Sequence, residues 1–117
     1  MLNEKVLEEN GKLIDNPENL KSWTPIGSYN NFPFSGTFNG YEYTVKGIYI
    51  NGNDNYLGLF GYLGEDGKIE NVGVVDGYIK GKNYIGGVCG YNNGTITDCY
   101  NTGSVTATSD NAGGVCG

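Results

Sequence analysis

Apolar residues recur along this chain in pairs three residues apart. Val45 and Ile48, Ile69 and Val72, and Ile96 and Cys99 form such pairs. A strand with one buried face spaces its inward residues two apart. A spacing of three therefore predicts a corner inside each pair, near Lys46-Gly47, Glu70-Asn71 and Thr97-Asp98. A further apolar position, Ile79 then Val105, completes each copy. Gly58-Leu59-Phe60-Gly61 returns as Gly87-Val88-Cys89-Gly90, and again as Gly114-Val115-Cys116-Gly117. Gly67 through Val72 is likewise matched by Gly94 through Cys99. Self-similarity at a period of about 27–29 residues is the mark of stacked repeats. It predicts an all-β solenoid with about three short strands per coil. Coils are expected near 34–54, 55–82 and 83–110, with a partial one at 111–117. The residues that carry the repeat are Gly58, Gly61, Gly87, Gly90, Gly114, Gly117, Ile69, Ile96, Cys89, Cys99 and Cys116.

Asn39-Gly40, Asn51-Gly52, Asp66-Gly67, Asp76-Gly77 and Asn93-Gly94 punctuate the strands, and such steps are expected to supply the positive φ of tight turns. Residues 1–33 read differently. Lys5 through Glu8 and Lys12 through Ile14 form two short extended runs about Asn10-Gly11. Asn16-Pro17 opens a short helix near 17–22. This segment is expected to cap the solenoid, whose first coil otherwise leaves apolar surface and strand edges open.

Composition narrows the function. The net charge is −6, with no His and no Arg. Binding through nucleic-acid phosphates is thereby disfavoured. No apolar run is long enough to insert in a membrane as a helix. The start, Met1 through Lys5, lacks the basic and apolar parts of an export signal. The chain stops inside its third copy, which favours a fragment of an extracellular or cell-surface protein; a complete chain would instead be cytoplasmic. From Asn83 onward the only charges are Asp98 and Asp110, leaving a neutral surface rich in Asn, Thr and Tyr.

Candidate chemistry is sparse. Cys89 and Cys116 should stack in adjacent coils, and Cys99 could face Cys89. Without His or paired Cys motifs, neither zinc nor a catalytic thiol is expected, and the three read as buried free thiols. Tyr56 with Tyr84, and Tyr62 with Tyr91, recur at the repeat period. They predict an aromatic ladder, either a structural stack or a surface for sugar rings. The loops 51–55 and 64–67 lack the spaced acids of a calcium site. The threonines at 95, 97, 102, 106 and 108 do not form a regular row, which argues against ice binding. Asn93-Gly94-Thr95 is a formal glycosylation acceptor that a turn explains. Hydrolytic acid pairs would need carboxylates from adjacent coils on one face, and the third coil is expected to lack them. No cofactor or metal is expected.

At these residues the chain resembles the GLUG-motif repeat family of bacterial surface and secreted proteins. Gly58-Leu59-Phe60-Gly61 matches the Gly-Leu-any-Gly of that name. Tyr84 through Gly90, Asn93-Gly94-Thr95-Ile96, Asp98-Cys99-Tyr100 and Gly103-Ser104-Val105 follow the wider pattern. Trp23 through Gly27 and Phe34 through Gly40 resemble the segment that precedes such repeats. Val88 and Val115 depart from the Leu, and Asp98 from the commoner Asn. The resemblance implies a non-catalytic module with an adhesive or spacer role, meeting surface glycans or host proteins. The alternative is a small acidic inhibitor or decoy for a basic partner; a polysaccharide hydrolase ranks third. The uncovered last coil is expected to self-associate end to end.

Overall fold

The long period of the sequence becomes parallel strand pairing. The computed structural model describes residues 2–29 and 32–117. The first repeat supplies β1 (Thr37–Asn39), β2 (Thr44–Lys46) and β3 (Tyr49–Asn51). The second supplies β4 (Phe60–Leu63), β5 (Lys68–Glu70), β6 (Gly73–Val75) and β7 (Tyr78–Gly86). The third supplies β8 (Cys89–Asn92), β9 (Thr95–Thr97), β10 (Tyr100–Asn101) and β11 (Ser104–Gly113). Sheet orders are β1-β5-β9, β2-β6-β10, β3-β7-β11 and β4-β8, and every pairing among these strands is parallel. The fold is all-β. The later repeats have four strands rather than about three, because the Gly-Leu-any-Gly segment leads into a strand of its own.

Parallel register puts like residues above like. Phe38, Ile69 and Ile96 form one column, and Ile50, Ile79 and Val105 another. Phe60, Cys89 and Cys116 form a third. The second repeat has neighbours on both sides, so Phe60, Leu63, Ile69 and Val74 are fully buried. Burying a side chain of this kind contributes about 1.5–3 kcal/mol. Ile96, Cys99 and Val105 in the third repeat, and Cys116 beyond it, are only partly buried.

The corner between Val45 and Ile48 differs from the one expected. Val45 pairs with Val74, so Lys46-Gly47 corresponds to Val75-Asp76 and not to Glu70-Asn71. The first-repeat counterpart of Glu70-Asn71 lies after Asn39. There four residues separate β1 from β2, whereas two separate β5 from β6 and β9 from β10. The register step from β1 to β5, Thr37 to Lys68, is therefore longer than the expected period.

The Asn-Gly and Asp-Gly steps also behave differently, except at Asp76-Gly77, where Asp76 supplies the positive φ. Gly40, Gly52, Gly67, Gly77 and Gly94 are not left-handed; among glycines only Gly11, Gly27 and Gly47 are. The left-handed positions are taken by Tyr41, Glu42, Tyr56, Asn71, Asp76, Tyr84, Asp98 and Asn111. The repeat glycines serve close packing instead. A Cβ at Gly90 would lie 2.7 Å from backbone atoms of Leu57, Tyr56 and Tyr84.

The segment before β1 runs along the first two repeats. Leu7 and Leu13 bridge in antiparallel fashion, and a 3₁₀ turn spans Pro17–Asn19. Asp76 accepts hydrogen bonds from the Val6 and Leu7 amides at 2.9 and 2.8 Å. The Trp23 indole donates to the Leu59 carbonyl at 3.1 Å. Ile26 and Phe34 then bridge Phe60 and Leu63 in parallel, occupying the outer edge of β4. Met1, Asn30 and Asn31, part of the expected 1–33 segment, lie outside the described residues. Among the described residues no helix is long and apolar enough to cross a membrane.

Candidate functional site: a face of stacked tyrosines

Five tyrosines converge on one face. Tyr62 and Tyr91 are direct register partners on β4 and β8, and their rings stack with centroids 4.8 Å apart and planes at 7°. Tyr56 and Tyr84 lie just before the bridged pair Leu57 and Ile85. Their rings stack at 5.1 Å and 3°. Both residues are left-handed, with φ of 60° and 59°, and Asn111 repeats this at 64°. A tyrosine in this region costs about 1–3 kcal/mol. Stacked aromatic pairs return about 0.5–1.5 kcal/mol each.

Repeat spacing brings out these four but misses the fifth. Tyr29 stacks on Tyr56 at 5.0 Å and 1°, so Tyr29, Tyr56 and Tyr84 form one column. Its signal was available, since Tyr29 precedes Tyr56 by one repeat period. The two columns meet edge to face, with Tyr56 5.7 Å from Tyr62 and Tyr84 5.3 Å from Tyr91. Removal from water pushes the Tyr56 and Tyr62 phenols up, and neighbouring phenolates add to the shift. A separate stack, Tyr49 on Tyr78 at 5.9 Å, lies on β3 and β7.

An asparagine row flanks the left-handed column. Asn55 Oδ1 accepts from the Asn83 amide at 3.1 Å, and Asn83 Oδ1 accepts from the Asp110 amide at 3.0 Å. These side chains link successive repeats where the backbone of β11 shifts register, between Ala107 and Asp110.

A second feature was not anticipated. A cleft of about 410 Å³ is lined by Glu42, Asn71, Val72, Gly73, Asp98 and Tyr100. Tyr100 is the register partner of Gly73, and a Cβ there would lie 2.6 Å from Tyr100 Cε1 and Cε2. One ring face thus rests on bare backbone, while the side chain stays 48% exposed. Glu42 and Asp98 come from the first and third repeats, which are not adjacent, with Asn71 of the second repeat between them. Their left-handed backbones, and that of Asn71 between them, turn this corner.

The cysteines divide. Cys89 is fully buried, whereas Cys99 and Cys116 are half-buried, against the expectation of three buried thiols. Cys89 and Cys116 are bridged neighbours, and all three are free. The Cys89 thiol donates to the Tyr91 carbonyl at 3.2 Å, and its place beside Cys116 lowers the Cys116 thiol to about 7. Its nearness to Cys116, with burial, pushes the Cys89 thiol far up. Cys99 donates towards the Thr97 carbonyl at 3.3 Å on its own strand corner. Among the described residues no cluster of three or more Cys, Asp or Glu is placed to hold a metal ion.

Residues 81–106, from within β7 to the start of β11, match the family model of the GLUG motif. The chain carries the GLUG motif. In this copy of it, Gly86, Gly87 and Gly90 provide the close approaches, and Asn92 and Asn101 accept hydrogen bonds from the Gly94 and Gly103 amides. Two relatives extend the likeness beyond that copy. A protein of Evansella cellulosilytica, provisionally named a Gly-rich membrane protein, is 40% identical over 78 residues, or 63% of this chain and 9% of its own length. Halomucin of Haloquadratum walsbyi is 34% identical over 94 residues, or 80% of this chain and 1% of its own. The GLUG-bearing chain thus spans less than a tenth of either relative. No solved structure matches it.

Proposed function

We propose that this chain is a non-catalytic β-solenoid module of a cell-surface or secreted protein, built to hold its surface residues at fixed spacing. The observation that supports it most directly is the set of parallel ladders in which each repeat adds one strand to each of several sheets. Residues 1–33 act as the cap of the first coil, with the coils following from residue 34. The extracellular or surface location is supported by the likeness to a protein named as a membrane protein. The outer edges of β9 to β11 offer unpaired backbone groups to a further strand layer, from a longer chain or a second copy.

Adhesion is the finer role. Sugar rings pack on open aromatic faces beside hydrogen-bonding groups. Tyr56 has rings on both sides, so the middle of its column offers edges and hydroxyls. Tyr100 has its outer surface free, beside the Asn71 amide and the Glu42 and Asp98 carboxylates. The cleft at Tyr100 is therefore the better glycan contact, and Tyr56, Tyr62, Tyr84 and Tyr91 the better protein contact. A glycan array tests this. Binding that disappears with Tyr100→Ala but survives Tyr84→Ala is the expected result. Loss with Tyr84→Ala and Tyr91→Ala alone would return the contact to the ladder. Silence across glycans and host proteins would leave the spacer role. Release of reducing ends from a polysaccharide would overturn the non-catalytic reading and point to Glu42 and Asp98.

A further inference from the structure

We propose that Tyr62 and Tyr91 are an oxidative cross-linking pair, joined within one chain into dityrosine when a peroxidase and hydrogen peroxide oxidise the tyrosine face. Coupling of two phenoxyl radicals begins face to face, because the new bond forms perpendicular to both ring planes. Tyr62 and Tyr91 hold that approach. Their planes are 7° apart, and their centroids, at 4.8 Å, are the nearest of the stacked pairs. The backbone fixes the geometry, since they are register partners on parallel strands. Both side chains are half-buried, so solvent reaches them while neighbouring repeats restrict their motion.

The rest of the cluster feeds the pair. Tyr29 is 55% exposed and meets a soluble oxidant directly. It lies 5.0 Å from Tyr56 and 5.6 Å from Tyr62, and Tyr56 lies 6.0 Å from Tyr91. A radical formed at Tyr29 thus has short steps to either member of the pair.

The chemistry balances with one peroxide. Each phenol gives up one electron and its hydroxyl proton, leaving a phenoxyl radical. The two radicals share their unpaired electrons in a carbon–carbon bond between the positions ortho to the oxygens. The ring hydrogens at those carbons move to the oxygens, through solvent, and both phenols are restored. The protein loses two hydrogens, and hydrogen peroxide accepts two electrons and two protons to become two waters. The product ties β4 to β8, and so one repeat to the next.

The test uses the full chain at low concentration with a haem peroxidase and hydrogen peroxide. The expected product is a monomer lighter by two hydrogens, with dityrosine fluorescence and one cross-linked peptide containing Tyr62 and Tyr91. Tyr62→Phe and Tyr91→Phe keep the stacked rings and should each abolish that monomeric product, with unfolding curves confirming that they fold. The Tyr41→Phe, Tyr43→Phe double variant removes the two most exposed phenols and should leave it unchanged. Dimers alone, a linkage elsewhere in the cluster, or a monomeric product that persists in Tyr62→Phe would each overturn the proposal.

Discussion

Tyr56 and Tyr84 adopt the same left-handed backbone, at φ of 60° and 59°, and lay their rings 3° from parallel. The backbone cost and the stacking gain can be separated by substitution. Tyr84→Ala loses the ring and keeps the strained Cβ, whereas Tyr84→Gly loses both. The glycine variant should be more stable than the alanine variant by about 1 kcal/mol. Urea unfolding of both decides it, and equal midpoints would mean that the backbone relaxes.

The glycines should divide sharply by what surrounds them. At Gly90 an added Cβ meets only backbone, which cannot swing aside. At Gly52 it meets nothing within 4 Å. Gly90→Ala should cost at least about 3 kcal/mol or prevent folding, in the range of severe overpacking. Gly52→Ala should be neutral or stabilising by up to about 1 kcal/mol. Thermal melts of the two variants check the contrast.

Asp76 ties the start of the chain to the second repeat. Its carboxylate takes the Val6 and Leu7 amides, and Val6 is fully buried. Asp76→Ala leaves both donors without their acceptor, at a cost of about 1.5–3 kcal/mol. Hydrogen exchange should quicken at Val6 and Leu7 while protection of the Ile69 and Val74 amides persists. A uniform loss across all four would show that the start and the sheets open together.

The thiols predict a pH response. Cys116, held near 7, is ionised in the folded chain before an unfolded thiol would be. Its contribution to stability is thus present above the unfolded thiol pKa and is lost as pH falls towards 7. Cys89 has the opposite sign: its raised pKa costs stability once an unfolded thiol would ionise. Stability should therefore rise from pH 7 towards 9 and fall beyond. Alkylation should reach Cys116 first, half-maximally near pH 7, and Cys116→Ser should remove the rise.

The tyrosines act at higher pH. Tyr56 and Tyr62 are raised above the ordinary 10.0, so the unfolded chain ionises these phenols first. Stability that is whole below pH 10 should decline above it. Ultraviolet titration should show two phenols ionising late, and Tyr29→Phe should bring them earlier by removing a neighbouring phenolate.

The inward columns were legible because a long apolar period survives small changes in loop length. Ile69 with Ile96, and Ile79 with Val105, could be paired by spacing alone. The first repeat was harder. Val45 and Ile48 imitate the three-residue spacing of Ile69 and Val72 but flank the next corner along. The left-handed tyrosines were hidden because the residue that takes the positive φ is Tyr itself, and the preceding Asn55 and Asn83 do not distinguish it from an ordinary turn. Tyr29 was overlooked because its segment lacks the glycine tetrapeptide, although it extends the same ladder. The Tyr100 cleft depends on a side chain crossing to cover Gly73, which spacing along one strand does not reveal.

The corner after Asn39 already accommodates two residues more than its counterparts, and pairing resumes on its far side at Thr44 with Gly73. Loop length there is uncoupled from the ladder. Tyr41 and Tyr43 at its tip are 73% and 77% exposed. A foreign peptide spliced between Tyr41 and Glu42 would be carried outward without entering the core. The corner is thus a ready port for display, and a place where related chains can acquire new sequences while the scaffold beneath them stays unchanged.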